Sequence, residues 1–203
     1  RKGIATPRKV SRITSMRGRA QAAAFLFLMT GPIPLFARVD LTRRDVFVRR
    51  GFLPEYTASV PEPSADWLRI QPDKRGFRSL RVYDLPLPGK PTRSFLSPVE
   101  HPAEDFTYVL SFDLEPGHKV TGRIQGLLLA QIGVNWEIYV NGHLVRSEMY
   151  RAPDGRIQIF RSMRGVVIPL NPLWLRDGEN ILAFHIAGDP AYVATGFYRT
   201  DPY

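Results

Sequence analysis

Short runs of β-type residues, separated by turn-forming residues, recur along most of the chain. In the clearest run, residues 106–114, large apolar side chains alternate with smaller or polar ones. This period of two predicts a strand that buries one face and partly covers the other. Gly, Pro, Asn and Asp separate the runs. Strands are predicted at residues 45–48, 67–70, 78–83, 106–114, 122–132, 135–140, 144–147, 156–160, 165–169, 180–187 and 192–198.

Two turns between these runs are well marked. Asn141 and Gly142 separate two β-type runs, which is the pattern of a two-residue hairpin because both positions tolerate positive φ. Residues 177–180 (DGEN) predict a turn into the next strand. After residue 37, helical periodicity is confined to a possible single turn around residues 171–175. Many short strands with turns between them favour an all-β jelly-roll sandwich over a βαβ sheet.

The first 37 residues have a different character. Arg17 and Arg19 precede a short apolar run, residues 20–30 (AQAAAFLFLMT), which is followed by Gly31, Pro32 and the small residue Ala37. This order is typical of a secretory signal peptide. The apolar run is shorter than the roughly 20 residues that a membrane-spanning helix needs. We therefore predict a signal peptide at 16–37 starting at Met16, an upstream over-extension at 1–15, an irregular lead-in at 38–63 and a β-sandwich ligand-binding domain at 64–203.

The charge distribution changes what the net charge of +9 means. Seven of the 28 basic residues and none of the 19 acidic ones lie in residues 1–37, so the rest of the chain carries only +2. An exported, periplasmic or extracellular domain without a nucleic-acid partner is therefore expected. The alternative is that residues 1–37 form a basic arm that binds nucleic acid or an anionic membrane. The chain has no Cys, which excludes disulfides, thiolate zinc sites and a Cys nucleophile.

Catalytic and metal-binding motifs are missing from the sequence. It contains no G-x-S-x-G elbow, no phosphate-binding Gly loop with Lys and no H-E-x-x-H helix. The four His residues are scattered, without a pair at metal-ligand spacing. Glu137 and Glu148 form the one carboxylate pair worth testing for glycosidase geometry, although both are expected to be solvated strand residues. We predict a non-enzymatic fragment without a cofactor or metal.

Three segments carry a resemblance to a known family: residues 136–142 (WEIYVNG), 166–169 (VVIP) and 175–186 (LRDGENILAFHI). They resemble the galactose-binding-like jelly roll, known as the sugar-binding module of family 2 glycoside hydrolases. That pattern has an aromatic residue before an Asn-Gly hairpin, a hydrophobic-Pro strand and Gly-x-Asn before the final strand. The resemblance implies a jelly roll that binds carbohydrate.

A second resemblance is carried by residues 44–52, 67–70, 94–97, 106–107 and 195–198. They look like the exported sensor domains of bacterial seven-transmembrane receptors with diverse intracellular signalling modules. This implies a ligand-sensing domain, with membrane segments following in the full-length protein. Two alternatives remain open: a substrate-positioning module of a family 2-like glycoside hydrolase, and a free-standing secreted carbohydrate-binding protein. The binding partner in each case is a carbohydrate or other small molecule.

Jelly rolls bind ligands at rim loops or on the concave sheet, and aromatic faces with charged or amide groups hold sugars. Several candidates have structural alternatives: Trp136 as a core residue, His185 as a packed strand residue and Asp189 as a turn former. Arg161 and Arg164 flank a turn and would favour an anionic ligand if they converge. The candidate ligand-binding residues are Trp136, Tyr150, Arg151, Arg161, Arg164, His185, Asp189, Tyr192 and, in addition, Tyr198.

Overall fold

A computed structural model describes residues 39–87, 103–116, 125–133, 135–159, 162–189 and 195–198. The expected over-extension and signal peptide, together with Arg161 and Tyr192, lie outside the described residues. No helix in the described part of the chain is long and apolar enough to cross a membrane.

Ten strands form in the described residues, and all their pairings are antiparallel. They are β1 (Val46–Arg50), β2 (Leu68–Ile70), β3 (Ser79–Arg81), β4 (Glu104–Leu114), β5 (Gln125–Gly133), β6 (Asn135–Val140), β7 (His143–Glu148), β8 (Ser162–Leu170), β9 (Gly178–Gly188) and β10 (Gly196–Tyr198). Four short 3-10 helices, Leu41–Arg43, Pro54–Thr57, Val82–Asp84 and Pro172–Trp174, connect them.

The strands build a sandwich of two sheets. One sheet has six strands in the order β2-β1-β4-β9-β6-β7, and the other has four in the order β3-β10-β5-β8. At the centre of the larger sheet, β4 and β9 pair over eleven consecutive positions. This long pairing is possible because inward-facing and outward-facing side chains alternate along both strands without interruption. The predicted all-β class is confirmed.

The main core lies between the two sheets. Every second residue of β4, β6 and β9 points into it, including the fully buried Phe106, Trp136 and Ile186. Leu129 and Ile168 contribute from the smaller sheet. Because side chains alternate along a strand, the residues between these core positions face the outer side of the six-stranded sheet. That outer side carries the polar groups described below.

The segment predicted as an irregular lead-in takes part in the sheet. β1 lies between β2 and β4, and Val46 and Val48 are buried in the main core. Phe47 faces the other way and packs with Trp67 and Val109 in a small second cluster on the outer side of the sheet. Leu53 and Tyr56 lie against this cluster, so the residues after β1 fold back over the outer face. Both faces of β1 are therefore covered.

The predicted Asn-Gly hairpin is present between β6 and β7. Asn141 has φ 49° and Gly142 has φ 84°, the positive values that a tight hairpin of this type needs. The Asn141 side chain also accepts a hydrogen bond from the backbone N–H of Ile181, at 2.8 Å. This residue therefore shapes the turn and fastens it to β9.

Two other predicted elements differ in outcome. The predicted turn near residue 171 is present as the 3-10 helix Pro172–Trp174, whose first turn is capped by the Asn171 side chain. The predicted strand at 156–160 is wrong within the described residues, where Ile157 forms only an isolated bridge with Arg151. The backbone N–H of Ala152 bonds to the carbonyl of Arg156, so this segment pairs with itself instead of joining a sheet.

Candidate functional site

A group of polar side chains lies on the outer face of the six-stranded sheet. Strand register aligns Thr107 on β4 with His185 on β9, His185 with Glu137 on β6, and Glu137 with Ser147 on β7. These residues therefore form one row across four strands. Asp105 lies two positions before Thr107, on the same face of β4. We call Asp105, Glu137, Ser147, Arg151 and His185 the polar cluster.

His185 is the centre of the polar cluster. Its Nε2 lies 2.7 Å from Asp105 Oδ1 and its Nδ1 lies 2.9 Å from Glu137 Oε2. A neutral imidazole has one N–H and can donate to only one of these carboxylates, whereas the protonated ring donates to both. The ring is thus held in one orientation between two acceptors from neighbouring strands.

Arg151, which lies in the loop after β7, also contacts Asp105. Its guanidinium forms a two-pronged ion pair with the Asp105 carboxylate, in which Nη2 contacts Oδ1 and Nη1 lies 3.3 Å from Oδ2. The start of the loop is fixed by a hydrogen bond from the Tyr150 backbone N–H to Asn135 Oδ1, at 2.6 Å. A two-pronged pair fixes orientation as well as distance. The loop is therefore positioned against the start of β4.

Two aromatic rings pack beside the cluster, Phe52 from the segment after β1 and Tyr139 from β6. Phe52 stacks on the imidazole of His185, with ring centroids 4.0 Å apart and planes inclined by 13°. Phe52 also stacks on Tyr139, at 5.9 Å. The Tyr139 hydroxyl donates to Glu137 Oε2 at 2.8 Å, and the Ser147 hydroxyl donates to Glu137 Oε1 at 3.1 Å. His185 is consequently almost buried, while the groups around it reach the surface.

Burial and hydrogen bonding act in opposite directions on the two carboxylates. Burial alone would raise the pKa of Asp105, but hydrogen bonds from His185 and Arg151, with their charges, outweigh it and lower the pKa below its ordinary 3.8. Burial would also raise the pKa of Glu137, but hydrogen bonds from His185, Tyr139 and Ser147 outweigh it and lower this pKa below its ordinary 4.5. Burial and the bond to Glu137 raise the pKa of Tyr139. Both carboxylates are therefore ionised at neutral pH.

The structure brings together two of the sequence-predicted residues. His185 and Arg151 belong to the polar cluster, whereas the Tyr150 hydroxyl donates to Glu148 Oε2 at 2.7 Å, and Glu148 faces the other side of the sheet. Trp136 is fully buried in the main core, as expected if it is a core residue and not a ligand contact. Asp189 is buried as well, and its backbone carbonyl accepts a bond from Thr195 Oγ1 at 2.8 Å.

Two further candidates lie in the other sheet. Arg164 is exposed on β8 in the smaller sheet, whereas the polar cluster lies on the outer face of the larger sheet. The structure therefore does not bring Arg164 to the polar cluster. The Tyr198 hydroxyl on β10 accepts a hydrogen bond from Gln131 Nε2 at 2.6 Å. The predicted partner of Arg164, Arg161, is outside the described residues.

The two carboxylates tested for glycosidase geometry occupy opposite faces of the sheet. Glu137 is paired with Ser147 and Glu148 with Trp136, and adjacent positions on a strand point to opposite sides. Glu148 is 7% exposed and forms an ion pair with Arg146. In a glycosidase both carboxyl groups flank one bond of the substrate. This pair cannot do so without rearranging the sheet.

Sequence reasoning did not identify Asp105, Phe52 or Ser147 as site residues. Asp105 follows an acidic residue just before a strongly apolar run, so locally it resembles a solvated strand end. Only its register against β9 and the return of the loop at Arg151 place it in the cluster. Among the described residues, no group of three His, Asp or Glu side chains has an arrangement that could hold a metal ion.

The chain matches no protein-family model and no curated protein sequence. The chemistry of the polar cluster therefore has to be inferred from its own geometry.

Proposed function

We propose that this chain is the non-catalytic, exported ligand-sensing domain of a bacterial membrane signalling receptor, built as a galactose-binding-like jelly roll. Its ligand is a carbohydrate or another small polar molecule that binds at the polar cluster. The observation that carries the proposal is the cluster itself, in which polar and charged side chains from three strands and a loop hold one another in fixed positions at a partly exposed surface.

The cluster retains hydrogen-bonding capacity for a ligand. The side chains of Arg151, Asp105 and Glu137 are 27%, 30% and 20% exposed, so each presents an edge to solvent. A carboxylate has about four acceptor positions, and those of Asp105 and Glu137 are only partly used. Arg151 Nε is buried and lacks a hydrogen-bond partner among the described residues. Sugar hydroxyls both donate and accept, which suits fixed groups of both kinds.

The same contacts favour binding over catalysis. A general base needs a ring nitrogen within hydrogen-bond reach of the proton that it abstracts. Both ring nitrogens of His185 face carboxylates, and the Ser147 hydroxyl is bonded to Glu137 instead of to the imidazole. A Ser nucleophile would need the opposite arrangement, in which the base contacts the hydroxyl. The polar cluster is thus organised as a fixed binding surface.

The loop that follows β7 offers a route from binding to signalling. It is fastened by the Arg151–Asp105 ion pair, by Tyr150 on Asn135 and by the single bridge to Ile157. A ligand that competes for Arg151 or Asp105 changes the free energy of the docked loop. Such a ligand shifts the balance between two receptor states by its differential affinity for them.

A thermal-shift screen of the full chain against saccharides and small polar metabolites tests the binding site. Arg151→Lys keeps the charge but removes the two-pronged contact, and Arg164→Lys on β8 is the matched control. We expect a stabilising ligand to lose about tenfold in affinity in Arg151→Lys and to be unaffected in the control. The site is refuted if no compound stabilises the chain, or if both variants respond equally.

The receptor context is tested by the gene sequence beyond the codon for Tyr203. Several apolar stretches of about 20 residues would support a receptor. A (β/α)₈ pattern with catalytic carboxylates would instead support a glycoside hydrolase module, and a stop codon would support a free-standing binding protein.

A further inference from the structure

A cavity of about 150 Å³ lies between the two sheets, on the opposite side of the larger sheet from the polar cluster. Its inner wall is formed by buried apolar side chains from β5 and β9, namely Leu127, Leu129, Leu182 and Phe184. At its other end lie Leu41 and Phe77, which are partly exposed. The cavity therefore leads from the main core towards the surface beside the first 3-10 helix.

The size of the cavity limits its guest. A void of roughly 150 Å³ with apolar walls holds a molecule of about the size of benzene, whereas pockets for larger ligands measure roughly 300–1,000 Å³. A guest here is thus one ring or a similar short hydrocarbon group. A monosaccharide, with a hydroxyl on nearly every carbon, would leave most of its polar groups unpaired against leucine and phenylalanine side chains.

One polar group in the wall is incompletely bonded. Gln131 lines the cavity and is 3% exposed. Its Nε2 donates to Tyr198 OH at 2.6 Å and to Ser162 Oγ at 3.2 Å, but its Oε1 is buried without a hydrogen-bond partner among the described residues. The Tyr108 hydroxyl, also in the wall, already donates to the carbonyl of Leu80 at 3.0 Å. Buried acceptors in folded proteins nearly always have a donor.

We propose that the inter-sheet cavity is a second ligand site, which takes a one-ring apolar molecule bearing a hydroxyl group. The ring fills the apolar part of the cavity, and the hydroxyl donates to Gln131 Oε1. A water molecule would be held less well, because a buried water usually makes about three hydrogen bonds and the wall around Gln131 is mostly apolar. The site is independent of the polar cluster, with which it shares no residue.

Phenol and benzene are the matched probes, since they share a ring and differ by the hydroxyl. Calorimetric titration of the full chain should show binding of both. With isotope-labelled protein, phenol should shift the side-chain amide signals of Gln131 more than benzene does, because only phenol donates a hydrogen bond to Oε1. If neither compound binds, or if phenol leaves the Gln131 signals unchanged, the proposal is overturned.

Two variants test the two parts of the cavity separately, the Gln131 acceptor and the apolar space. Gln131→Met keeps the length of the side chain and removes the acceptor, so phenol affinity should fall about fivefold while benzene affinity stays unchanged, as expected for the loss of one neutral hydrogen bond. Leu129→Phe narrows the cavity and should abolish binding of both probes. Equal loss of phenol and benzene in Gln131→Met, or unchanged binding in Leu129→Phe, would contradict the proposal. Arg151→Lys, which alters only the polar cluster, should bind phenol as the unaltered chain does.

Discussion

Replacement of Asn180 by Ala should be one of the most destabilising single changes in the chain. Asn180 is fully buried at the start of β9 and its side chain makes four hydrogen bonds. Nδ2 donates to the carbonyls of Arg176 and Gly178, at 2.8 and 2.9 Å. Oδ1 accepts from the Arg176 backbone N–H at 2.8 Å and from Asn141 Nδ2 at 2.9 Å. The residue thus closes the turn before β9 and joins it to the β6–β7 hairpin.

The expected loss follows from these four bonds. A typical intramolecular hydrogen bond contributes about 1 kcal/mol net, so the loss of all four corresponds to roughly 4 kcal/mol. Arg176 is exposed, so water can reach part of its freed backbone. We therefore expect a loss of about 2–4 kcal/mol, a large share of the roughly 5–15 kcal/mol that stabilises an ordinary domain.

Asn171→Ala is the matched control, because it removes the same atoms from an exposed residue with one side-chain bond, to the backbone N–H of Leu173 at 3.0 Å. Loss of such a cap costs about 1 kcal/mol. Urea unfolding of the full chain and both variants gives the free energies of unfolding. The reasoning is refuted if Asn180→Ala loses no more than Asn171→Ala.

Two further predictions concern the polar cluster and the smaller sheet. The pKa values of Asp105 and Glu137 lie below their ordinary 3.8 and 4.5, so the stabilisation that these carboxylates provide is present above pH about 4.5 and is lost as the pH falls through the folded-state values. The free energy of unfolding, measured at a series of acid pH values, should therefore depend less on pH in the Asp105→Asn/Glu137→Gln double variant. Gly196→Ala should cost about 1–3 kcal/mol more than Gly155→Ala. Both residues have positive φ, but a Cβ at 196 would lie 2.6 Å from the Leu80 carbonyl oxygen, whereas one at 155 would meet nothing within 4 Å. Equal losses in chemical unfolding would exclude this steric cause.

Local sequence predicted the strands of this fold better than it predicted their partners. Alternation identified β4 and β9, and the Asn-Gly pair located the β6–β7 hairpin, because each signal is contained in a few neighbouring residues. β1 is different. Its four-residue pattern is followed by Gly51 and several prolines, which made the whole segment resemble a lead-in. Its pairing with β4, nearly 60 residues away, is what makes it an inner strand of the sheet.

The candidate site was only partly predictable, for a similar reason. Arg151 and His185 were identified because a charged or titratable group beside apolar or aromatic residues is noticeable in any sequence. Asp105 and Phe52 become site residues only through contacts with His185, one from the neighbouring strand and one from the segment after β1. Long-range register and chain reversal are not encoded in a local pattern.

Several of the residues that carry the family resemblance have structural roles. Asn141 and Gly142 form the hairpin turn, and Asn180 bonds Asn141 and the turn before β9. Trp136, the aromatic residue of the same motif, fills the main core. These roles constrain the fold, but Glu137 and His185 lie in the same segments and belong to the polar cluster, so the segments hold both fold-forming and candidate-site positions. Under the proposed function, ligand specificity would also depend on Arg151, Asp105 and Gln131, which lie outside these segments and can vary while the turns and core of the sandwich are preserved.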